Sequence, residues 1–245
     1  MRKFIDLHLH LDGSVPVSTV KKLMQEHDLP IPTDQELRQE LSVDSSCKSL
    51  DQFLEKFALP NKLMQTRHDL ETIVYDLLTE LKAQGLVYAE IRFAPQLHTK
   101  EGLTQEDAIK AAISGLNKFL YDQKEKNDSP ELHAGLILCL MRFSNNQKEN
   151  IETVELAKKF LNKGVVGLDL AGAEGPIPNI KYKSFFNQAQ QLGVPYTIHA
   201  GEADGPDSIR QALAMGAKRI GHGIRCTEDT QLTQELIDKK NKKKK

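Results

Sequence analysis

Two histidines one residue apart, His8 and His10, lie near the start of the chain in the apolar segment FIDLHLHLDG, residues 4–13. Positions two apart in a β-strand project from one face, so the two imidazoles would lie side by side, with Leu7 and Leu9 facing the other way. Neutral imidazole is a common metal ligand in proteins. The pair alone is equally compatible with two polar residues on a strand face, so other motifs must decide between a metal site and a plain strand.

A third histidine and a carboxylate occur in the motif HAGE, residues 199–202, directly after a short apolar stretch. If His199 faces His8 and His10, three nitrogen ligands leave a fourth position open, which is typical of catalytic metal sites. Glu202 would then be a nearby acid, able to hold or deliver a proton. Taken alone, His199 could be a core histidine, and Glu202 could be a carboxylate stabilised at a helix N-terminus.

Two further motifs place small residues beside polar ones. In RIGHGIR, residues 219–225, His222 stands between two glycines, which let the backbone approach a ligand and leave the imidazole accessible. A structural turn is the alternative interpretation. The segment LDLAGAEG, residues 168–175, could offer backbone amides to a flat ligand, although a strand-to-helix turn would have the same composition.

Short apolar runs that alternate with longer amphipathic stretches predict the elements that position these residues. Several of the runs are continuously apolar, as in parallel strands buried on both faces. The predicted strands cover residues 4–10, 86–93, 134–141, 165–171, 196–200 and 219–223. Helical patterns cover residues 69–83, 151–161, 182–192 and 228–240, and another helix begins at Thr104, which starts a capping-box-like T-x-x-D. This alternation predicts right-handed βαβ units and a parallel sheet.

A doubly wound sheet and a (β/α)₈ barrel both have this alternation. The glycine-rich dinucleotide fingerprint is missing after the first predicted strand, which weakens the doubly wound alternative. In barrel enzymes, the active site lies at the C-terminal ends of the strands. The residues at predicted strand ends are His8, His10, Arg92, Asp169, His199 and His222. We therefore predict an α/β fold of the TIM (β/α)₈-barrel type.

The composition narrows the class of protein. The chain has 245 residues, of which 39% are hydrophobic and 27% charged, and it contains no apolar run of the ~18 residues that span a bilayer. Three widely spaced cysteines favour neither a disulfide framework nor a cysteine-rich zinc module. The N-terminus shows no signal-peptide pattern, so a cytoplasmic location is expected.

The net charge of −1 includes six lysines in the terminal KKNKKKK, so the rest of the chain is acidic. We expect neither nucleic-acid nor membrane partners.

Together, these motifs resemble the adenosine deaminase family of metal-dependent hydrolases. The resemblance rests on DLHLHLDGS, YAEIRFAPQ, DLAGAE, HAGE and GHG, at residues 6–14, 88–96, 169–174, 199–202 and 221–223, in the order the family has them. The H-x-E and P-C-x-x-C signature of the cytidine-type zinc deaminases is not in the sequence. The resemblance implies a hydrolase of purine metabolism that uses zinc to convert adenosine or 2′-deoxyadenosine, a small-molecule purine nucleoside, to inosine and ammonia.

The resemblance also implies roles at the metal and in catalysis. His8, His10 and His199 match zinc ligands of the family. Glu202 matches the acid that protonates N1 of the adenine ring and so makes C6 electrophilic. His222 matches the residue that orients the attacking water and takes part in its deprotonation.

Substrate contacts are implied in the same way. His10 and Asp12 match substrate-binding positions, Asp12 being the polar contact to the sugar, and Gly172 matches the backbone contact to the purine. The apolar residues Leu54, Phe57 and Leu59 could form a lip over the purine, although helical core packing explains them equally well.

The sequence departs from the family pattern near its end. The family carries two consecutive aspartates late in the barrel, one of them the remaining zinc ligand, and this sequence has no Asp-Asp pair and no candidate seventh or eighth strand. We therefore expect an incomplete barrel of about six βα units over residues 1–238, a lysine-rich disordered tail over 239–245, and doubtful activity. Unpaired first and sixth strands would favour aggregation. Two alternatives stay open: a deaminase of adenine or another 6-aminopurine, and a non-catalytic fragment.

Overall fold

The computed structural model describes residues 3–242, with side chains described through residue 239. Parallel strands alternate with helices along most of this range. The strands are β1 (Phe4–His10), β2 (Leu86–Phe93), β3 (His133–Met141), β4 (Val165–Ala171), β5 (Ile198–Ala200) and β6 (Ile220–His222). The α-helices are α1 (Val17–Glu26), α2 (Asp34–Leu41), α3 (Leu50–Leu54), α4 (Ala58–Leu63), α5 (Arg67–Ala83), α6 (Gln105–Glu125), α7 (Gln147–Phe160), α8 (Lys183–Gln191), α9 (Pro206–Ala214) and α10 (Thr230–Lys242).

The strands neighbour one another in chain order. The first four form a parallel sheet in the order β1-β2-β3-β4, and β5 pairs in parallel with β6. The two parts join through a parallel bridge between Leu168 in β4 and Tyr196 just before β5. A doubly wound sheet reverses its strand order at a switch point, whereas a barrel wall keeps chain order. The order is therefore that of six successive units of a barrel.

Helices α5 and α6 show why the predicted helices form. Each begins with a capping box, Thr66 with Asp69 and Thr104 with Asp107, which satisfies amide groups at the helix start. The apolar stripe of α5 is buried, as the spacing predicts. The two helices approach so closely that a Cβ at Gly115 of α6 would lie 2.4 Å from the Glu71 carbonyl oxygen of α5. Only glycine leaves room for that contact.

The structure contains helices that the sequence did not predict, and two of its strands are shorter than predicted. Helices α1 to α4 and α9 were not predicted; all five are short, with ten residues or fewer. The predicted strand 196–200 is reduced to Ile198–Ala200, preceded by the single bridge at Tyr196. The predicted strand 219–223 is reduced to Ile220–His222.

The C-terminal region is helical further than expected. Helix α10 continues through Lys242, so the predicted disordered tail at 239–245 is helical over its first four residues, and residues 243–245 lie outside the described residues. Within residues 3–242, no helix is both long and apolar enough to cross a membrane.

Strand β1 lies at one edge of the sheet. In the described part of the chain β1 pairs with β2, and three apolar side chains of β1 are exposed: Phe4 by 51%, Ile5 by 64% and Leu7 by 43%. The Arg219 guanidinium, just before β6, reaches the Leu7 carbonyl oxygen at 3.4 Å. The expected exposure of apolar groups on the first strand is therefore present.

Candidate active site

Four histidines from three strands meet at the C-terminal ends of the strands. The Nε2 atom of His199 lies 3.1 Å from the Nε2 atoms of both His8 and His10. The ring of His222 lies 4.4 Å from that of His8 and 5.0 Å from that of His199, between centroids. The structure therefore brings together the three residues predicted as metal ligands and one predicted catalytic residue.

The fold of β1 and β6 makes this convergence possible. The pairing of β1 with β2 shifts register between Asp6 and Leu9, and the two histidine rings of β1 still lie only 5.3 Å apart. On the facing side, a Cβ at Gly221 would come within 3.0 Å of His8 Cε1. Glycine at this position of β6 lets the backbone lie directly against the imidazole, as the glycines around His222 suggest.

A buried ion pair orients His199. Asp169, at the end of β4, lies with Oδ2 2.9 Å from His199 Nδ1 and also pairs with the Arg92 guanidinium. Asp169 and Arg92 are 0% and 1% exposed. Arg92 donates a further hydrogen bond to the Leu7 carbonyl oxygen at 2.6 Å, which ties β2 to β1. The carboxylate favours the proton on Nδ1 of His199 and leaves Nε2 free to face His8 and His10.

The donor set has the chemistry that a metal ion needs. The three ligand nitrogens, one from each imidazole, lie within 4.8 Å of one another in His8, His10 and His199. The pKa of His8 is lowered to about 2 and that of His10 to about 3, mainly by burial. Repulsion from positive charge at His199 and Arg92 acts in the same direction. Both imidazoles are therefore neutral near pH 7, with lone pairs available. Three imidazole nitrogens that converge in this way are held together best by a cation between them, so the residues fit a bound metal ion.

A carboxyl group and a fourth imidazole face each other next to this cluster. Glu202 Oε2 is 3.4 Å from His222 Nε2, and about a quarter of each side chain is exposed. Burial, reinforced by the Glu174 carboxylate, raises the pKa of Glu202. Burial lowers the pKa of His222 to about 4. The environment therefore shifts both groups towards their uncharged forms, which suits acid and base roles.

The backbone of His222 is unusual. Its φ of 60° lies in the left-handed region, which few residues other than glycine adopt. Such a conformation costs of order 1–2 kcal/mol and persists only where the surrounding structure imposes it. Here it turns the chain between β6 and Gly223, itself at φ 67°, and places the His222 ring beside His8.

The predicted sugar contact, Asp12, lies in the loop that follows β1. Its Oδ2 accepts a hydrogen bond from Asn61 Nδ2 at 3.2 Å, whereas its Oδ1 is buried without a partner among the described residues. Burial raises the pKa of Asp12 to about 6. From the short 3₁₀ helix Glu55–Phe57, the Phe57 ring lies 6.2 Å from the His10 ring and would be 2.6 Å from a Cβ at Gly13. Phe57 thus lies beside the histidine cluster, as expected of the predicted apolar lip, while Leu59 packs against the core.

The predicted purine contact, Gly172, follows β4 and is tied to β5 by a residue that sequence reasoning missed. Arg142, at the end of β3, is 5% exposed and donates to the carbonyl oxygens of Gly172 at 3.0 Å and His199 at 2.8 Å. It also donates to Asn179 Oδ1 at 2.6 Å. The available signal was a charged residue directly after the apolar strand β3, comparable to Arg92 near the end of β2.

Known proteins are similar to this chain over almost its whole length. The adenosine deaminase family profile matches residues 4–243. An adenosine deaminase from Haemophilus ducreyi is 48% identical over 243 residues, which are 96% of this chain and 68% of the relative.

Two solved structures support the fold. An adenine deaminase from Arthrobacter aurescens superposes with a TM-score of 0.78 at 26% identity, over 96% of this chain and 69% of that protein. An amidohydrolase from Burkholderia ambifaria, solved with bound Zn, gives 0.81 at 21% identity, over 96% and 62%. The predicted incomplete TIM-type barrel is thus confirmed as the fold of the described residues, and the chain belongs to the adenosine deaminase family.

Proposed function

We propose that this chain is a zinc-dependent hydrolase that deaminates adenosine and 2′-deoxyadenosine to inosine or 2′-deoxyinosine and ammonia, a step of purine metabolism. The observation that carries the proposal is the convergence of three histidine Nε2 atoms beside the facing pair of Glu202 and His222. The adenosine deaminase from H. ducreyi, 48% identical, supports the same reaction.

Zinc is the metal proposed for the three histidines. Neutral imidazole nitrogens are preferred zinc ligands, and three of them with an open position suit a catalytic site. A zinc ion bound there would supply Lewis acidity, lowering the pKa of water towards ~7. The chain's own contribution is to hold His199 in one tautomer through Asp169 and to keep His8 and His10 uncharged.

The proton transfers are assigned to the facing pair. Glu202, with its raised pKa, donates a proton to N1 of the adenine ring, which makes C6 open to attack by water. His222, neutral because burial lowers its pKa to about 4, orients the water and accepts its proton. Water adds to C6, the proton taken up by His222 passes to the amino nitrogen, and the C6–N bond breaks to release ammonia. The remaining hydroxyl proton returns to Glu202 as the C6 carbonyl forms.

A nucleoside is favoured over a free base by the region around Asp12. The buried Oδ1 atoms of Asp12 and Asn61 are acceptors that lack partners in the described structure. Buried acceptors without donors are costly, so a ligand that brings hydroxyl donors is favoured there. The sugar of adenosine carries such hydroxyls, and adenine does not. The Gly172 amide and the Phe57 ring are the proposed contacts to the purine.

Turnover on three substrates tests the proposal. The zinc-loaded chain is incubated with adenosine, 2′-deoxyadenosine or adenine, and ammonia release is measured together with the ultraviolet change as the 6-aminopurine becomes a 6-oxopurine. We expect turnover of the two nucleosides that is lost on chelation and restored by zinc. Turnover of adenine alone would support the adenine deaminase alternative, and no turnover at full zinc occupancy would support a non-catalytic fragment. The cytoplasmic location and the domain boundary at residue 238 stay predictions.

A further inference from the structure

The carboxylate of Glu174, three residues after the end of β4, binds the backbone of the HAGE loop. Glu174 is 2% exposed. Its Oε2 accepts hydrogen bonds from the amides of Glu202 at 2.8 Å, Ala203 at 2.8 Å and Asp204 at 3.0 Å. Its Oε1 accepts from the amide of Gly201 at 2.6 Å and from a side-chain hydroxyl at the start of α9. Four consecutive backbone donors therefore converge on a single side chain.

Such convergence restricts the conformation of the loop. Consecutive amides point to one centre only in a particular sequence of backbone angles, and Gly201 adopts φ 70° to begin it. Hydrogen bonds from amides to a charged carboxylate are stronger than those between neutral groups. Burial alone would raise the pKa of Glu174. The hydrogen bonds from Ser208 and the loop amides lower this pKa instead, so Glu174 is a charged carboxylate when it accepts these hydrogen bonds.

The segment held in this way, residues 201–204, carries the proposed acid. It follows His199 after one residue, and it contains Glu202, whose carboxyl faces His222 at 3.4 Å. Glu174 bonds to the Glu202 amide rather than to the Glu202 carboxyl. Its effect on chemistry would therefore pass through the position of the loop.

We propose that Glu174 is a positioning residue: its carboxylate fixes the backbone of residues 201–204 so that the Glu202 carboxyl stays against His222. This role rests on the proposed deaminase function for its catalytic consequence, while the effect on the loop stands on the geometry alone. A general stabilising role is the competing explanation, and the two differ in how far the effect of a substitution extends along the chain.

Amide hydrogen exchange separates the two explanations in the zinc-loaded chain. Glu174→Gln keeps the size of the side chain but replaces one acceptor oxygen with an NH₂ group that faces amide donors. Since each lost buried hydrogen bond weakens protection about tenfold or more, we expect amides 201–204 to exchange at least ~10-fold faster, with the amides of α5 unchanged. The controls are Glu155→Gln, an exposed glutamate on α7, and Ser208→Ala, which removes the hydroxyl that donates to Glu174 and accepts from Asn179 but leaves the Glu174 carboxylate in place. Both should leave amides 201–204 protected.

Kinetics on the same variants test the catalytic consequence. We expect Glu174→Gln to lower kcat for adenosine at least ~10-fold, with KM and zinc content unchanged, and the two controls to keep kcat. If the unsubstituted chain does not turn over adenosine, the proposed function fails, and exchange at 201–204 still decides the role of Glu174.

Two results would overturn the proposal: unchanged exchange at 201–204, or faster exchange of equal size in α5. If Glu174→Gln does not fold, Glu174→Asp replaces it, since it keeps the charge but withdraws the carboxylate by one methylene. The same local loss of protection is expected for it, and a uniform loss would again contradict a positioning role.

Discussion

Asp169 Oδ2 lies 2.9 Å from Nδ1 of His199, and the same oxygen pairs with the guanidinium of Arg92. Although burial would raise it, the pKa of Asp169 is held below its usual value by His199 and Arg92. The carboxylate is therefore charged, and it fixes which nitrogen of His199 carries the proton. Because the free Nε2 then faces His8 and His10, the orientation of the proposed metal ligand depends on a residue from another strand.

Substitution Asp169→Asn should weaken zinc binding by ~10–100-fold, the usual effect of losing a carboxylate that orients a histidine ligand. It should also lower the free energy of unfolding by about 3–5 kcal/mol, because Arg92 stays buried without its counter-charge. Competition with a chromogenic chelator measures the affinity, and denaturant unfolding measures the stability. Glu106→Gln, which removes a surface pair with Lys159, is the control and should change neither. Unchanged zinc affinity in Asp169→Asn would mean that another group orients His199.

Substitution Glu202→Gln should lower kcat for adenosine by ~10²–10⁴-fold, because the amide keeps the size of the side chain but cannot donate the required proton. Zinc content and KM should stay near those of the unsubstituted chain. The raised pKa of Glu202 also predicts the direction of the pH dependence: activity falls as pH rises through that pKa and the acid loses its proton. Steady-state kinetics against pH measure both effects, with exposed Glu80→Gln as control. Near-normal turnover would remove Glu202 from the mechanism.

Local patterns in the sequence were enough to predict the wall of the barrel and the strand ends at which the four histidines lie. Strand β1 and the paired histidines His8 and His10 follow from period-two alternation, and Thr104 marks the start of α6 through its capping box. The prediction that His199 and His222 lie near His8 and His10 followed from the rule that the C-terminal ends of the strands lie on one face of a barrel. The structure has each of these features within a few residues of the expected position.

What the sequence could not reveal depends on contacts between distant segments. Glu174 binds amides 27 to 30 residues away, and Arg142 reaches the His199 carbonyl oxygen 57 residues away. Nothing in the residue types next to Glu174 or Arg142 predicts these partners, since both could equally be charged residues in loops. The short strands β5 and β6 were overpredicted because the apolar runs at 196–200 and 219–223 extend beyond the residues that find ladder partners.

A buried histidine outside the proposed metal-binding set should make the fold sensitive to acid. His98 is 0% exposed, its ring lies 5.8 Å from that of Phe93, and burial lowers its pKa to about 4 from 6.5. As pH falls from 6.5 to 4, the unfolded chain takes up a proton that folded His98 does not, so stability is lost over this range. The expected loss is about 3 kcal/mol.

Urea unfolding at pH 7 and pH 4 measures this loss. His98→Phe removes the titrating group, so its stability should differ between the two pH values by about 3 kcal/mol less than that of the unsubstituted chain. His133→Gln, at an exposed position of β3, is the control and should leave the pH dependence unchanged. An equal pH dependence in His98→Phe would show that His98 is protonated at its ordinary pKa in the folded protein.

The exposed side chains of β1 should make the isolated chain associate. Ile5 is 64% exposed on a strand that pairs, within the described residues, with β2, and an apolar strand edge is a template for pairing with another chain. Ile5→Lys should therefore raise the concentration at which aggregates first form, by light scattering and size-exclusion chromatography. Ile151→Lys, at a site 41% exposed on α7, makes the same change away from a strand edge and should have a smaller effect. Equal effects of the two substitutions would show that added charge, rather than protection of the β1 edge, controls association.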